Sequence, residues 1–260
     1  STPYTTRPDG TGPAWANSLF EDAAEYGMGM AVTTAVRRNA LKARVQEVLL
    51  EGKDSPLSAE LYTQLNEWVE NFRNPAVCEA LSKSLPSLLK AEASKDPAIQ
   101  EILDASDLLP KISNWIIGGD GWSYDIGYGG LDHVIASGQD LNVLVLDTEA
   151  YSNTGGQKSK STPIGAVAKF ATKGHDVEKK NLAEMAIDYG TVYVASVAMG
   201  ANYQQTLKAF SEAEAYDGCS LVVAYAPCIE HKNLDGMSHT MQHQATVAAS
   251  GYFPLYRYNP

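Results

Sequence analysis

At 260 residues, 44% of them hydrophobic and 20% charged, the chain is long enough for one large or two modest domains with a buried core. A net charge of −11, with no basic cluster longer than Arg37-Arg38 or Lys179-Lys180, argues against a nucleic-acid backbone as partner. No apolar run approaches the roughly 18–20 residues of a membrane span, and three scattered cysteines suit neither a disulfide framework nor a zinc site within this chain.

In chain order, residues 1–12 (STPYTTRPDGTG) are turn formers and read as an irregular surface segment without a secretory signal. Ser1 in place of methionine and the abrupt close at Pro260 read as cut ends of a longer polypeptide. A helix is predicted from Ser18, where Ser18 and Glu21 have capping-box spacing. Gly27 and Gly29 inside it point either to another backbone packed closely against the helix or to a cofactor contact. Residues 35–110 carry helical periodicity, as in Leu41, Val45, Val48 and Leu49 and again from Leu57 to Phe72. Asn74-Pro75, Leu85-Pro86, Asp96-Pro97 and Leu109-Pro110 punctuate this stretch into short helices. It gathers no catalytic residue types and reads as a helical insertion.

From Lys111 the pattern changes. Strand-like apolar runs fall at 112–117, 141–147, 191–198 and 219–226, with helical patterns at 123–137, 164–188 (in one or two pieces) and 202–216. Alternation of this kind predicts an α/β fold: a largely parallel sheet flanked by helices, its ligands bound beyond the carboxyl ends of the strands. Three loops are singled out, at 118–122, 147–157 and 227–240.

The first holds Gly118-Gly119-Asp120-Gly121. It fits neither the dinucleotide fingerprint nor a Walker loop, although its glycines would let backbone N–H groups approach an anion. Asp120 repels a phosphate by about 4 kcal/mol at 4 Å and an effective dielectric of 20, unless a cation lies between them. A hard cation such as Mg²⁺ resolves the conflict, with Asp120 as a ligand and a diphosphate as its partner. The second loop, DTEAYSNTGGQ (residues 147–157), offers the hard oxygens that could complete the shell. They include the Thr148 hydroxyl and the Ala150 carbonyl, with Ser152, Asn153 and Thr154 nearby; the plain alternative is a polar loop with Asn153 in left-handed geometry.

Asp120-Gly121 followed one strand later by Asn153 resembles the thiamine-diphosphate motif, which begins Gly-Asp-Gly and ends at Asn. The longer runs GPAWANSLFEDAAEYGMGMA, GGDGWSYDIGYGGLDHVIASG and DTEAYSNTGGQKSKSTPIGAVAKFA resemble the pyruvate:ferredoxin (flavodoxin) oxidoreductases over residues 1–34 and 111–260. The likeness implies a thiamine-diphosphate-binding domain, with 1–34 its truncated start, 35–110 the helical insertion and 111–260 its core. It implies Mg²⁺ held by Asp120, Thr148 and Ala150, where the family usually has valine at the last position, a departure that a backbone ligand tolerates. Gly119, Asp120, Gly121, Trp122, Thr148, Glu149, Ala150, Tyr151, Ser152 and Asn153 would line the cofactor, with Asn153 beside the substrate carbonyl.

The third loop contains Cys228, which by sequence alone is more often a small buried side chain. The resemblance makes it one ligand of a 4Fe–4S cluster whose other ligands lie upstream of Ser1. Cys78 and Cys219 match no ligand position and read as structural; His231, His239 and His243 read as ordinary loop and helix residues. The implied reaction is oxidative decarboxylation of pyruvate with coenzyme A, electrons passing through 4Fe–4S clusters to ferredoxin or flavodoxin. A homodimer is implied as well, in the cytoplasm or, for a protist, an anaerobic organelle. The ring-activating glutamate has no match here, so residues 1–260 alone are expected to be inactive. The competing readings are another 2-oxoacid oxidoreductase, acting on 2-oxoglutarate or sulfopyruvate, an NADP-linked fusion, and a non-catalytic nucleotide-binding or interaction module.

Overall fold

The structure, a computed structural model, describes residues 8, 10, 12–17, 22–51, 57–231 and 236–260. The chain divides into two units, one formed by Gly29–Asn114 and the other by Trp115–Pro260 with the residues up to Met28. The expected helix start at Ser18 and Glu21 lies outside the described residues; helix α1 runs Ala23–Glu51.

In the first unit, α1 is followed by α2 (Ala59–Glu70), α3 (Pro75–Glu92) and α4 (Pro97–Asp104). Local chemistry sets each start. Ser58 accepts the Leu61 N–H, Asn74 those of Ala76 and Val77, and Asp96 that of Ala98, with proline at the first helical position of α3 and α4. The apolar stripes then meet in a core containing Val45, Leu61, Leu65, Trp68, Leu85, Leu89, Ile99 and Ile102. Leu85-Pro86, expected to break the chain, instead lies inside α3. Leu81, Leu85 and Leu89 on either side of Pro86 are buried, and that burial outweighs the roughly 3 kcal/mol penalty of an interior proline.

The second unit is built on a five-stranded sheet of order β1-β2-β4-β3-β5. Its strands are β1 (Trp115–Gly118), β2 (Leu141–Asp147), β3 (Tyr193–Val197), β4 (Cys219–Tyr225) and β5 (Tyr256–Tyr258). The first four are parallel, and β5 runs antiparallel along β3. Every residue of β3 is buried, as are six of the seven in β4, which is why these runs carry no alternation. β5 was not expected: Tyr-Arg-Tyr between prolines is too short to show a period. Gly27 is explained by close packing, because a Cβ there would strike the side chain of Ile116; a Cβ at Gly29 would meet open space.

The helices depart from expectation in two places. The pattern at 123–137 resolves into α5 (Asp120–Tyr124) and α6 (Tyr128–Ala136), separated at Asp125, whose ψ of −110° leaves the helical region. Of 164–188 only α7 (Leu182–Ile187) is helical. Ile164, Val167, Phe170 and Val177 are exposed, and the segment folds by pairing loop with loop. Lys158 donates to the Lys169 carbonyl, and Gly165 to that of His175. α8 (Tyr203–Ala215) and α9 (Thr240–Ala249) complete the unit.

The strand order has a direct consequence for the loops. Because β1, β2 and β4 are adjacent and parallel, Gly118, Asp147 and Tyr225 end at the same edge of the sheet, with Asp147 paired in register to Tyr225. The loops singled out at 118–122, 147–157 and 227–240 therefore leave from one edge.

Candidate functional site

β1 delivers Asp120 as the first residue of α5, through Gly119 in extended conformation. Gly118 is needed for packing: a Cβ there would run into the ring of Trp122, which folds back over it. Asp120 is only 3% exposed, and both of its oxygens are occupied. Oδ1 accepts from the Thr148 N–H at 2.9 Å and the Thr148 hydroxyl at 3.1 Å. Oδ2 accepts from the hydroxyls of Ser159 at 2.8 Å and Ser161 at 2.6 Å. Burial and then the charge of Asp147 push the Asp120 carboxyl up to about 6, against the lowering effect of Ser161, Ser159 and Thr148.

Thr148 also lies 2.9 Å from the Ala150 carbonyl oxygen. Three oxygens, from Asp120, Thr148 and Ala150, thus sit in succession at 3.1 and 2.9 Å around a hydroxyl that has one proton to give. In an octahedron with metal–oxygen distances of about 2.1 Å, neighbouring ligands are about 3.0 Å apart. The donor set and its spacing therefore fit Mg²⁺, with Asp120, Thr148 and Ala150 as the residues that would hold it. Trp122 agrees with a ligand-bearing site in a second respect: its buried indole N–H has no partner among the described residues.

Ser159, Ser161 and Thr162 were given no role from sequence, yet they close the site. All are buried; Thr162 accepts from the Ser159 N–H and donates to the Glu149 carbonyl at 2.7 Å. The available signal was the density of hydroxyls in Ser-Lys-Ser-Thr-Pro, which only a fold could attach to Asp120.

Opposite chemistry occupies the alternate residues of the second loop. Asp147 is fully buried, and its Oδ2 accepts from Lys179 Nζ at 2.7 Å and the Tyr124 hydroxyl at 3.0 Å. Its Oδ1 has no partner among the described residues. Glu149 has a left-handed backbone with φ of 59°, while Asn153 is not among the positive-φ residues. The Glu149 carboxylate faces Lys179 Nζ at 2.9 Å and the Tyr252 hydroxyl at 2.6 Å. Burial would lower the Lys179 ammonium, but Asp147 and Glu149 outweigh it and hold the lysine above its ordinary value. Tyr124, Asp147, Lys179 and Tyr252 also line a cavity of about 490 Å³ in which Asp120, Thr148 and Ala150 take no part.

The remaining predicted residues lie around these. Tyr151 pairs with Gln157 across a tight turn that uses positive φ at Gly155 and Gly156, and Asn153 is exposed on that turn beside half-buried Ser152. Cys228 follows β4, buried and unbridged, its sulfur accepting the Glu230 N–H at 3.4 Å. Cys78 and Cys219 lie elsewhere in buried surroundings, and burial pushes the Cys219 thiol up to about 12. His243 packs on Tyr225, with Nε2 3.2 Å from its hydroxyl. Among the described residues there is no cluster of three or more His, Cys, Asp or Glu able to hold a metal, so a cation here would need hydroxyl and carbonyl oxygens beside the Asp120 carboxylate. No helix is long and apolar enough to cross a membrane, among the same residues.

Residues 72–224 match the family described as thiamine pyrophosphate enzyme, C-terminal TPP binding domain. The chain is 52% identical to the mitochondrial pyruvate dehydrogenase (NADP(+)) of Euglena gracilis, over 99% of this chain and 14% of that one. It is 50% identical to the pyruvate-flavodoxin oxidoreductase of Trichormus variabilis, over 100% of this chain and 22% of that one. Identity to the pyruvate:ferredoxin oxidoreductase of Moorella thermoacetica is 49%, over 99% and 22%. The chain thus spans 14–22% of the length of these curated relatives. With the matched residues covering more than half of its length, the chain belongs to the family of C-terminal thiamine-pyrophosphate-binding domains of thiamine pyrophosphate enzymes.

Proposed function

We propose that this chain is the Mg²⁺–thiamine-diphosphate-binding part of a pyruvate oxidoreductase, which converts pyruvate and coenzyme A to acetyl-CoA and carbon dioxide. The observation that carries the reading is the oxygen triad of Asp120, Thr148 and Ala150, on a chain about half identical throughout to pyruvate oxidoreductases. Thiamine diphosphate supplies the nucleophilic carbon and the electron sink for decarboxylation.

The residues of this chain bind and orient. Asp120, Thr148 and Ala150 would hold the cation that lets a diphosphate settle beside a carboxylate, and Ser159 and Ser161 keep the Asp120 carboxylate turned toward it. Gly119, Gly121 and Trp122 adjoin Asp120 in the chain, and Trp122 brings an uncommitted N–H donor. Tyr151, Ser152 and Asn153 lie on the turn that would face substrate, with the exposed Asn153 amide as the orienting group. Cys228 supplies one thiolate to a 4Fe–4S cluster. An N–H donated to its sulfur suits such a ligand, and the other ligands come from the rest of the longer polypeptide.

Electrons leave to ferredoxin or flavodoxin, and the protein works as a homodimer, in the cytoplasm or in an organelle as for the mitochondrial Euglena relative. A second reading, with NADP⁺ as final acceptor, is favoured by the 52% identity to the Euglena enzyme. Calorimetric titration with thiamine diphosphate tests the central reading: heat that requires Mg²⁺ supports it, and binding of ATP in its place supports the interaction-module alternative. Pyruvate-dependent reduction of a viologen should need the full-length protein, and turnover by residues 1–260 alone would contradict the division of labour. Full-length protein offered NADP⁺ or ferredoxin separates the two acceptors.

A further inference from the structure

The loop after β2 treats its alternate residues differently. Thr148 and Ala150 present oxygen to the Asp120 side, where spacings of 3.1 and 2.9 Å suit an octahedral ion. Asp147 and Glu149 send their carboxylates to Lys179, at 2.7 and 2.9 Å. One half-buried ammonium therefore ties together the neighbours on both sides of Thr148. Glu149 adopts a backbone conformation that non-glycine residues avoid, with φ of 59°. It is clamped at both ends: the carboxylate by Lys179 and the Tyr252 hydroxyl, the carbonyl by the Thr162 hydroxyl. Such a residue sets the course of the chain from Thr148 to Ala150, and so the placing of two of the three oxygens.

We propose that Lys179 is a positioning residue for the divalent-cation site: by drawing Asp147 and Glu149 together it fixes the spacing of the Asp120, Thr148 and Ala150 oxygens. It touches none of those oxygens and acts through the backbone. The inference rests on the Mg²⁺–thiamine-diphosphate reading above. Its expected signature is selectivity, because Mg²⁺ demands a near-ideal octahedron at short distances whereas Ca²⁺ accepts longer and more irregular shells. A role confined to stability would lower the melting temperature without changing which ion is preferred.

The experiment titrates Mg²⁺ and, separately, Ca²⁺ into the full-length protein at fixed thiamine diphosphate, following cofactor retention by gel filtration or circular dichroism. Lys179→Met should raise the Mg²⁺ midpoint about tenfold or more, the scale of losses seen when the support of a metal ligand is removed. The Ca²⁺ midpoint should move much less, so the ratio of the two falls toward one. A ratio unchanged from wild type overturns the proposal, whatever happens to thermal stability. Should that variant fail to fold, Tyr252→Phe removes one hydrogen bond from Glu149 and leaves the ion pairs in place. It should move the ratio in the same direction by about threefold, an eased version of the same loss, and an unchanged ratio again overturns the proposal. Wild-type protein that binds thiamine diphosphate without any divalent ion would sink the underlying functional reading instead, a result distinct from either variant outcome.

Discussion

The two units bury charge in opposite ways. In the helical unit Arg38 is buried, and its guanidinium donates to the carbonyls of Leu108, Leu109 and Phe72 and to the Cys78 sulfur. Its ring neighbours, Phe72 and Trp68, lie 4.3 and 5.9 Å beneath the charge. Glu92 likewise receives the Ser58 N–H on both oxygens. Each charge there ends in donors or acceptors of the same unit, most of them backbone groups at helix ends distant in sequence. In the α/β unit, Asp120, Asp147 and Glu149 are buried within one network, with Lys179 bridging two of them. One Asp147 oxygen has no partner among the described residues. Buried charge that is fully satisfied serves the fold, whereas clustered buried carboxylates, one of them with an unpartnered oxygen, mark this end of the sheet as the candidate functional region.

Four measurements would break or sharpen this contrast. Asp120→Asn in the full-length protein should abolish Mg²⁺-dependent retention of thiamine diphosphate in gel filtration, a loss of about 100-fold or more in affinity. Retention at the wild-type level would remove Asp120 from the cation site. Next in size, Arg38→Met should cost about 2–3 kcal/mol in denaturant unfolding, because it strands carbonyl groups that the guanidinium now satisfies. The Mg²⁺ midpoint should stay within about twofold of wild type if the helical charge serves folding alone. A large change in cation affinity would erase the distinction between the units.

Ser161→Ala removes one of the two hydroxyls on Asp120 Oδ2 and should raise the Mg²⁺ midpoint by about tenfold, with the Ser159 bond remaining. An unchanged midpoint would make these serines packing residues only. The smallest effect concerns Lys180, whose ammonium lies 3.0 Å from the centre of the Tyr128 ring and donates to the Tyr124 carbonyl. Burial and then Lys160 push it down to about 8 from 10.5, against Asp125 and Asp132. Between those values the unfolded chain binds the extra proton, so this group makes stability rise as pH climbs from about 8 to 10.5. Its partial exposure keeps the effect small. Thermal melts across that range should show a flatter rise for Lys180→Met; identical slopes would leave Lys180 without a part in the charge balance.

Local chemistry was legible where it acts over a few residues. Asn74-Pro75 and Asp96-Pro97 mark helix starts because a side-chain oxygen caps N–H groups two or three positions on, whatever the rest of the chain does. The central strands β3 and β4 showed as runs without alternation because both faces of the sheet are covered there. The conflict between Asp120 and a phosphate was likewise visible, since like charges repel in any fold. Pro86 inside α3 and the non-helical stretch after Ile164 were not legible, because core packing in one case and loop pairing in the other override local preference.

What the sequence by itself determined, then, is the class of fold, the presence of an acidic residue in a glycine-rich turn, and the supply of candidate oxygen donors one strand later. Tertiary structure alone decided that β4 lies beside β2, that Ser159 and Ser161 fold back onto Asp120, and that Lys179 joins Asp147 to Glu149. These contacts span 30 residues or more, from Glu149 to Lys179 and from Asp120 to Ser161. Side-chain periodicity has a reach of a turn or two, so the meeting of these distant loops is set by strand order rather than by any one segment.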